Sequence, residues 1–205
     1  MIKFDATKLA AVALVQSTEE TRYYLNGVYF FGKLAVATDG HILTVAYDEH
    51  ADNGKEGVIL PVDKSAASKL KNKKAVTALF DDDLLKVYDA NGNMMHVSAS
   101  KRIDGTFPDF RKVVPDEFGS SLKTPFTPVV VEQITATARI LKGETIGGFY
   151  LTGKDNNSPH LVRYDGSPDV FTIAMPKDWE SGNKGDVPSW FELERPRIAR
   201  GEEAA

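Results

Sequence analysis

The feature that most restricts what this chain can fold into is a pattern that recurs along it at intervals of roughly 50 residues. In the first copy, Ile2 to Phe4 reads as a short strand and Ala6 to about Gln16 as a helix. Leu9, Val12, Ala13 and Gln16 fall on one face of that helix, and Asp5 or Thr7 can cap it. Three alternating runs follow, Tyr23 to Phe31, Lys33 to Thr38 and His41 to Tyr47. The last two are joined through Asp39-Gly40, a strong tight-turn pair. The order then repeats: a strand at Gly57 to Pro61, a helix capped by Asp63 and running to about Leu70, and strands at Ala75 to Phe80, Leu84 to Asp89 and Met94 to Ser100.

A break rich in proline, glycine and polar residues spans Phe107 to Lys123, after which Thr127-Pro128 supplies the chemistry of an N-cap and first helical position. The helix runs through Val131, Ile134, Ala138 and Leu141, with strands at Gly148 to Thr152, His160 to Tyr164 and Val170 to Ala174. The chain therefore reads as three βαβββ units. Two such units pair naturally into one domain, so the odd third must find its partner surface elsewhere, for instance in another chain. Beyond Met175-Pro176 the composition shifts to turn formers, which predicts a tail in which Trp190, Phe191 and Leu193 could dock on the body.

At 205 residues and 42% apolar content the chain can bury a substantial core. It shows no signal-peptide pattern and no apolar run near the ~20 residues that span a bilayer, which predicts a cytoplasmic protein with no membrane role. The absence of cysteine excludes disulfides, thiol nucleophiles and thiolate metal sites. The net charge of −4 speaks against a simple basic nucleic-acid binder, yet its distribution is uneven. Residues 62–74 carry Lys64, Lys69, Lys71, Lys73 and Lys74 against Asp63, as expected either of one phosphate-facing surface or of a solvated helix end.

Catalytic and metal chemistry finds little footing. Asp39 and His41 flank a turn, so they need not aim at one point, and no HExxH or second ligand cluster accompanies them. Asp81-Asp82-Asp83 could hold a hard cation but stands where a hairpin turn is expected. Gly147-Gly148 lacks the strand and helix of a phosphate-binding loop. No cofactor is expected. The helices carry Lys8, then Lys64 and Lys69, then Arg139 and Lys142 among small residues. Such faces can follow a phosphate backbone without reading bases.

Four segments add a resemblance: TRYYLNGVYF (21–30), VATDGHILTVA (36–46), DGTFPDFRKVVP (104–115) and SPHLVRYDGSPDVFTIAMP (158–176). In the same order they resemble signature segments of the bacterial DNA polymerase III beta sliding clamp family, over nearly all of residues 1–177. The resemblance implies an α+β DNA clamp fold, with helices on one face and antiparallel sheets on the other. In that family six units per chain pair into three domains, and two chains close a ring around duplex DNA. Here residues 1–106 correspond to one complete domain, 107–121 to a linker, 122–178 to a half domain and 179–205 to a tail.

The resemblance further implies a noncatalytic processivity factor with a groove for peptides of a polymerase and other clamp-binding proteins. The positions carried over are Leu25, Thr38, Gly40, His41, Leu43, Pro108, Val113, Ser158, Ile173, Met175 and Pro176. Asp39 would then order the turn. DNA contacts would come from the helix residues named above together with Lys71, Lys73 and Lys74. The chain departs from the family where Ile42 replaces a typical arginine and Lys177-Asp178-Trp179 replaces the usual ending. If a ring still needs about twelve helices, three per chain predict a homotetramer, with a clamp loader as a further expected partner. A ring-less adaptor or inhibitor using the same groove, and a metal-dependent hydrolase at Asp39, His41 and the aspartate turn, are the rival readings.

Overall fold

In the computed structural model the first two units trade their leading strands. The structure describes residues 1–51, 56–114, 126–142, 148–155 and 158–176. Strand β1 (Ile2–Asp5) leads into α1 (Ala6–Ala13), followed by β2 (Val28–Phe31), β3 (Leu34–Thr38) and β4 (Ile42–Tyr47). Strand β5 (Val58–Leu60) leads into α2 (Lys64–Leu70), followed by β6 (Ala75–Asp81), β7 (Leu84–Asp89) and β8 (Met94–Ala99). Yet β1 lies beside β6, and β5 beside β2, both antiparallel. Each leading strand completes the sheet of the other unit, so neither sheet of this pair forms without both units.

Helix α3 (Pro128–Lys142) and strands β9 (Phe149–Gly153), β10 (His160–Tyr164) and β11 (Ser167–Ala174) make up the third unit. Its sheet does not stand apart. Strand β11 pairs antiparallel with β4, with Thr172 opposite Thr44, giving a seven-stranded sheet in the order β5-β2-β3-β4-β11-β10-β9. The third unit, whose strand-exchange partner is not among the described residues, thus meets the first unit edge to edge. The reason is an antiparallel edge left open at β4. The segment before α3 lies outside the described residues, so the third unit is seen as αβββ.

The helices form a row, with α1 packed against both α2 and α3. One core lies between this row and the sheets, around Phe4, Phe30, Phe80, Leu9, Val12 and Ile134. A second core lies on the other face of the larger sheet, where Leu34, Val36, Leu43, Val45, Phe171 and Ile173 meet Leu25, Phe107, Phe110 and Val114. Because both faces are covered, every residue of β3 is buried, and every residue of β4 except Tyr47.

Local departures from the sequence reading have identifiable causes. The expected strand at Tyr23 is a single 3-10 turn, Tyr23–Leu25, and the strand starts only at Val28. Gly27 sits so close to β5 that an added Cβ would meet Ile59 Cγ2 at 2.9 Å and the Leu60 carbonyl at 3.0 Å. Helix α1 ends at Ala13 rather than Gln16. The Gln16 side chain instead donates to the Val62 carbonyl at 2.5 Å and accepts from the Val62 amide at 3.4 Å, tying the chain to the entry of α2. Asp5 and Asp63 both cap their helices, accepting from Lys8 N and from Ser65 N and Ala66 N. The aspartate run is a two-residue turn in which Asp82 and Asp83 take positive φ, 50° and 59°, while Asp81 pairs with Lys86 at 3.0 Å.

A candidate peptide groove and a basic helix surface

The groove grows out of the turn between β3 and β4. Thr38 Oγ1 donates to the Ile42 carbonyl at 2.7 Å and accepts from Gly40 N at 3.0 Å. Asp39 Oδ1 accepts from the amides of His41 and Ile42 at 2.8 and 3.0 Å. Gly40 takes φ +94°, and a Cβ there would strike the Arg22 guanidinium. The turn is therefore fixed by its own residues before anything docks on it.

The third unit and the loop before β2 then grip it. Gln133 of α3 donates to Asp39 Oδ2 at 3.1 Å, and Met175 N donates to the His41 carbonyl at 3.0 Å. Arg22 donates to the Asp39 carbonyl at 3.2 Å while holding Glu19 through two 2.8 Å bonds. That pairing lowers the Glu19 carboxyl below its usual range and raises Arg22 above its own.

Between this turn, the 3-10 turn at Leu25, the end of β11 and residues 107–113 lies a cavity of about 210 Å³. Its floor is apolar and buried, with Leu25, Leu43, Phe107, Phe110 and Ile173. Val113 and Met175, 39% and 37% exposed, stand at its rim with His41. The volume falls below the ~300–1,000 Å³ of sites that enclose a small molecule. It suits an apolar anchor side chain of an extended peptide lying across the surface.

Of the expected positions, Leu25, Thr38, Gly40, His41, Leu43, Pro108, Val113, Ile173 and Met175 line this cavity. Ser158 and Pro176 do not. Ser158 instead closes a turn, its amide donating to Asp155 Oδ1 at 2.8 Å and its carbonyl 2.8 Å from His160 Nδ1. Sequence reasoning missed Arg22, Tyr24, Ile42, Phe107, Asp109 and Phe110, which also line it. Phe107 and Phe110 fall in the FPDF segment already singled out, so two bulky apolar rings three residues apart in an otherwise polar break were the available signal. A larger cavity of about 460 Å³ lies near Lys3, Lys8, Asp48 and Asp169, but its charges are mixed, with Lys8 paired to Asp169 and Asp48 accepting the Asp5 amide.

The basic surface is narrower than expected. Helix α1 buries Ala6, Leu9, Ala10, Ala11, Val12 and Ala13, so its small residues let neighbouring helices approach rather than present a plain outer face. Lys8 donates to the Tyr47 carbonyl at 2.8 Å and pairs with Asp169 at 3.0 Å, clasping α1 to β11. Its ammonium is thus engaged within the chain and is less available to a phosphate than the lysines of α2. Lys64, Lys69, Lys71, Lys73 and Lys74 are all exposed, on α2 and the turn that follows, and Arg139 is exposed on α3. The side chain of Lys142, residues 177–179 and the tail aromatics lie outside the described residues. Among the described residues no helix is long and apolar enough to cross a membrane.

These features define a class: antiparallel sheets backed by a row of helices in doubled βαβββ units, with a small apolar groove where two units join. No family model matches the chain. It is 39% identical over 118 residues to the Beta sliding clamp of Rickettsia bellii, covering 52% of this chain and 30% of that protein. It is 31% identical over 148 residues to the Beta sliding clamp of Vibrio cholerae, covering 68% and 39%. A crystal structure of the DNA polymerase sliding clamp from Pseudomonas aeruginosa superposes with a TM-score of 0.62 at 17% identity, covering 87% of this chain and 66% of that one. The chain is a relative of the bacterial beta sliding clamp and has the sliding-clamp fold. It spans well under half the length of these curated relatives, 30% and 39%.

Proposed function

We propose that this protein is a noncatalytic DNA sliding clamp, which encircles duplex DNA as a homo-oligomeric ring and tethers a polymerase through the groove at the β3–β4 turn. The observation that carries the reading is the joint itself. A strand from the third unit extends the sheet of the first, and nine residues carried over from the clamp signature surround one apolar cavity at that joint. An apolar groove with a few polar edges recognises a peptide by its anchors, whatever protein bears it. Lys64, Lys69, Lys71, Lys73, Lys74 and Arg139 would hold phosphates loosely and without base readout.

Closing a ring of about twelve helices with the three α-helices found among the described residues of each chain calls for four copies. Sedimentation or light scattering tests this directly. The reading expects a species of four 22.5 kDa chains, and a mass that stays at one or two chains at high concentration contradicts it. The DNA surface has its own test. Neutralising Lys64, Lys69, Lys73 and Lys74 together should weaken binding equally on unrelated duplex sequences and flatten its salt dependence, the slope falling by up to about 0.9 for each phosphate the protein no longer neutralises. An unchanged slope removes those lysines from the interface.

A further inference from the structure

The chain contains two kinds of joint between units, and its two free ends each offer half of a different one. Units one and two meet by exchange: each has a first post-helix strand, β2 or β6, with the other unit's leading strand on its outer side. Units one and three meet through their last strands, β4 against β11. The order along the row is therefore unit two, unit one, unit three. Unit two ends at β8, which is a last strand. Unit three ends at β9, a first post-helix strand with no strand on its outer side among the described residues.

We propose that copies of this chain associate like with like, through two different two-fold interfaces: third unit against third unit, and β8 against β8. A head-to-tail contact would set β8 against β9, a last strand against a first one, which neither joint of the chain uses. Among the described residues neither missing half is present, a second copy supplies both, and a self-complementary patch is what a two-fold interface requires.

The surfaces fit this assignment. Open edges are normally paired, covered or guarded by charge. Here β8 exposes Met94 and Val97, at 57% and 46%. On the third unit, β9 exposes Phe149 and Tyr150, at 38% and 67%, and α3 exposes Val131 at 45%. Gln133 reaches toward unit one, and Val131, two residues earlier, lies about 200° around the helix from it, on the far side. That side of α3 stands where α2 packs on α1 in the complete pair.

The register follows from the existing joint. Thr44, opposite Thr172 at its centre, pairs with Ala37 of β3. Its counterpart His96 pairs with Val87 of β7, so β8 repeating the same geometry sets His96 opposite its own copy. In a ring of four, which rests on the function proposed above, these axes lie in the plane of the ring. The two faces become equivalent, with two grooves on each.

Because the chain has no cysteine, single introduced thiols report contacts cleanly. Val97→Cys and Val131→Cys change exposed residues and are treated with a short bismaleimide, with Lys33→Cys, away from both ends, as the collision control. Like-with-like association predicts that each of the first two variants converts most of the protein to covalent dimer and nothing larger, and that the double variant proceeds to tetramer. Linkage only in a Val97→Cys, Tyr150→Cys double variant, with neither single variant linking to itself, assigns a head-to-tail ring and overturns the proposal. Dimer from only one of the two single variants, or from neither, also overturns it. A native mass of four chains with the head-to-tail pattern leaves the ring standing, whereas self-linkage in both single variants with a mass that never reaches four chains overturns the ring and leaves the paired contacts.

Discussion

The two joints inside this chain share the same apolar core but connect their strands differently. Where units one and two meet, strands are exchanged and the contact is aromatic: Phe30 packs edge-on against Phe4 at 5.8 Å and Phe80 at 5.0 Å, linking strands from both sheets. Where units one and three meet, no strand is exchanged and the centre is polar. Thr44 and Thr172 share a 2.8 Å hydrogen bond, and the Tyr164 hydroxyl donates to Thr172 at 2.8 Å. Burial pushes the Tyr164 phenol up to about 12, against the opposing pull of Thr172 and the Thr137 hydroxyl beside it. The first joint adds strand exchange to its shared core, whereas the second meets edge to edge, its core interrupted by a buried seam of hydrogen bonds with a groove along one side.

A shared core should fail as a whole and a seam should open locally. The largest effect is expected from Phe30→Ala, which removes the ring joining both sheets and should cost about 3–5 kcal/mol. Thermal unfolding should remain one transition at a much lower midpoint. Two separate transitions, one per unit, would break the comparison at its stronger end.

Thr172→Val keeps the shape but leaves the Thr44 and Tyr164 hydroxyls without their partner, at about 1–3 kcal/mol. Amide exchange should rise along β10, β11 and α3 while β6 and β7 keep their protection. Equal loss of protection in both regions would show that the seam is no weaker than the core. Gly40→Ala tests the groove side of the same seam. The left-handed backbone and the Arg22 contact should cost more than about 1 kcal/mol and lower affinity for a groove-binding peptide, with the second unit unaffected.

The smallest effect concerns Asp63. Burial alone would raise its carboxyl, but the Ser98 hydroxyl beside it and the amide donors of Ala66 and Ser65 outweigh it and hold the group at about 2. A folded value below the unfolded one means that the cap contributes fully above the usual carboxylate range near 3.8 and loses its contribution as pH falls toward 2. Asp63→Ala should cost about 1 kcal/mol at neutral pH, and the difference from the unaltered protein should vanish in acid. A difference that persists at low pH would assign the cost to something other than the charged cap.

How much of this was legible in the sequence follows from the range of each interaction. Helix α2 and strands β7 and β10 could be read from alternation and caps, because those signals are local. The exchange of β1 and β5 could not, since periodicity places a strand without naming its neighbour. The edge-to-edge pairing of the third unit with the first was not legible for the same reason: the β4–β11 pairing joins residues 128 apart at its centre. At the site, the Thr38-Asp39-Gly40-His41 turn was legible because its chemistry is contained in four residues. The Lys8–Asp169 pair was not legible because the two lie 161 residues apart, nor was the turn in which the Ser158 backbone bonds Asp155 and His160 outside the cavity lining.

The claim on which the account rests is enclosure, and it can be tested by topology alone. The protein is added to a linear duplex whose biotinylated ends are capped with streptavidin only afterwards, and retention is followed in salt high enough to suppress phosphate contacts. Enclosure predicts that protein stays on the capped duplex and leaves when a restriction cut frees one end. Equal loss from capped and cut duplex would contradict it.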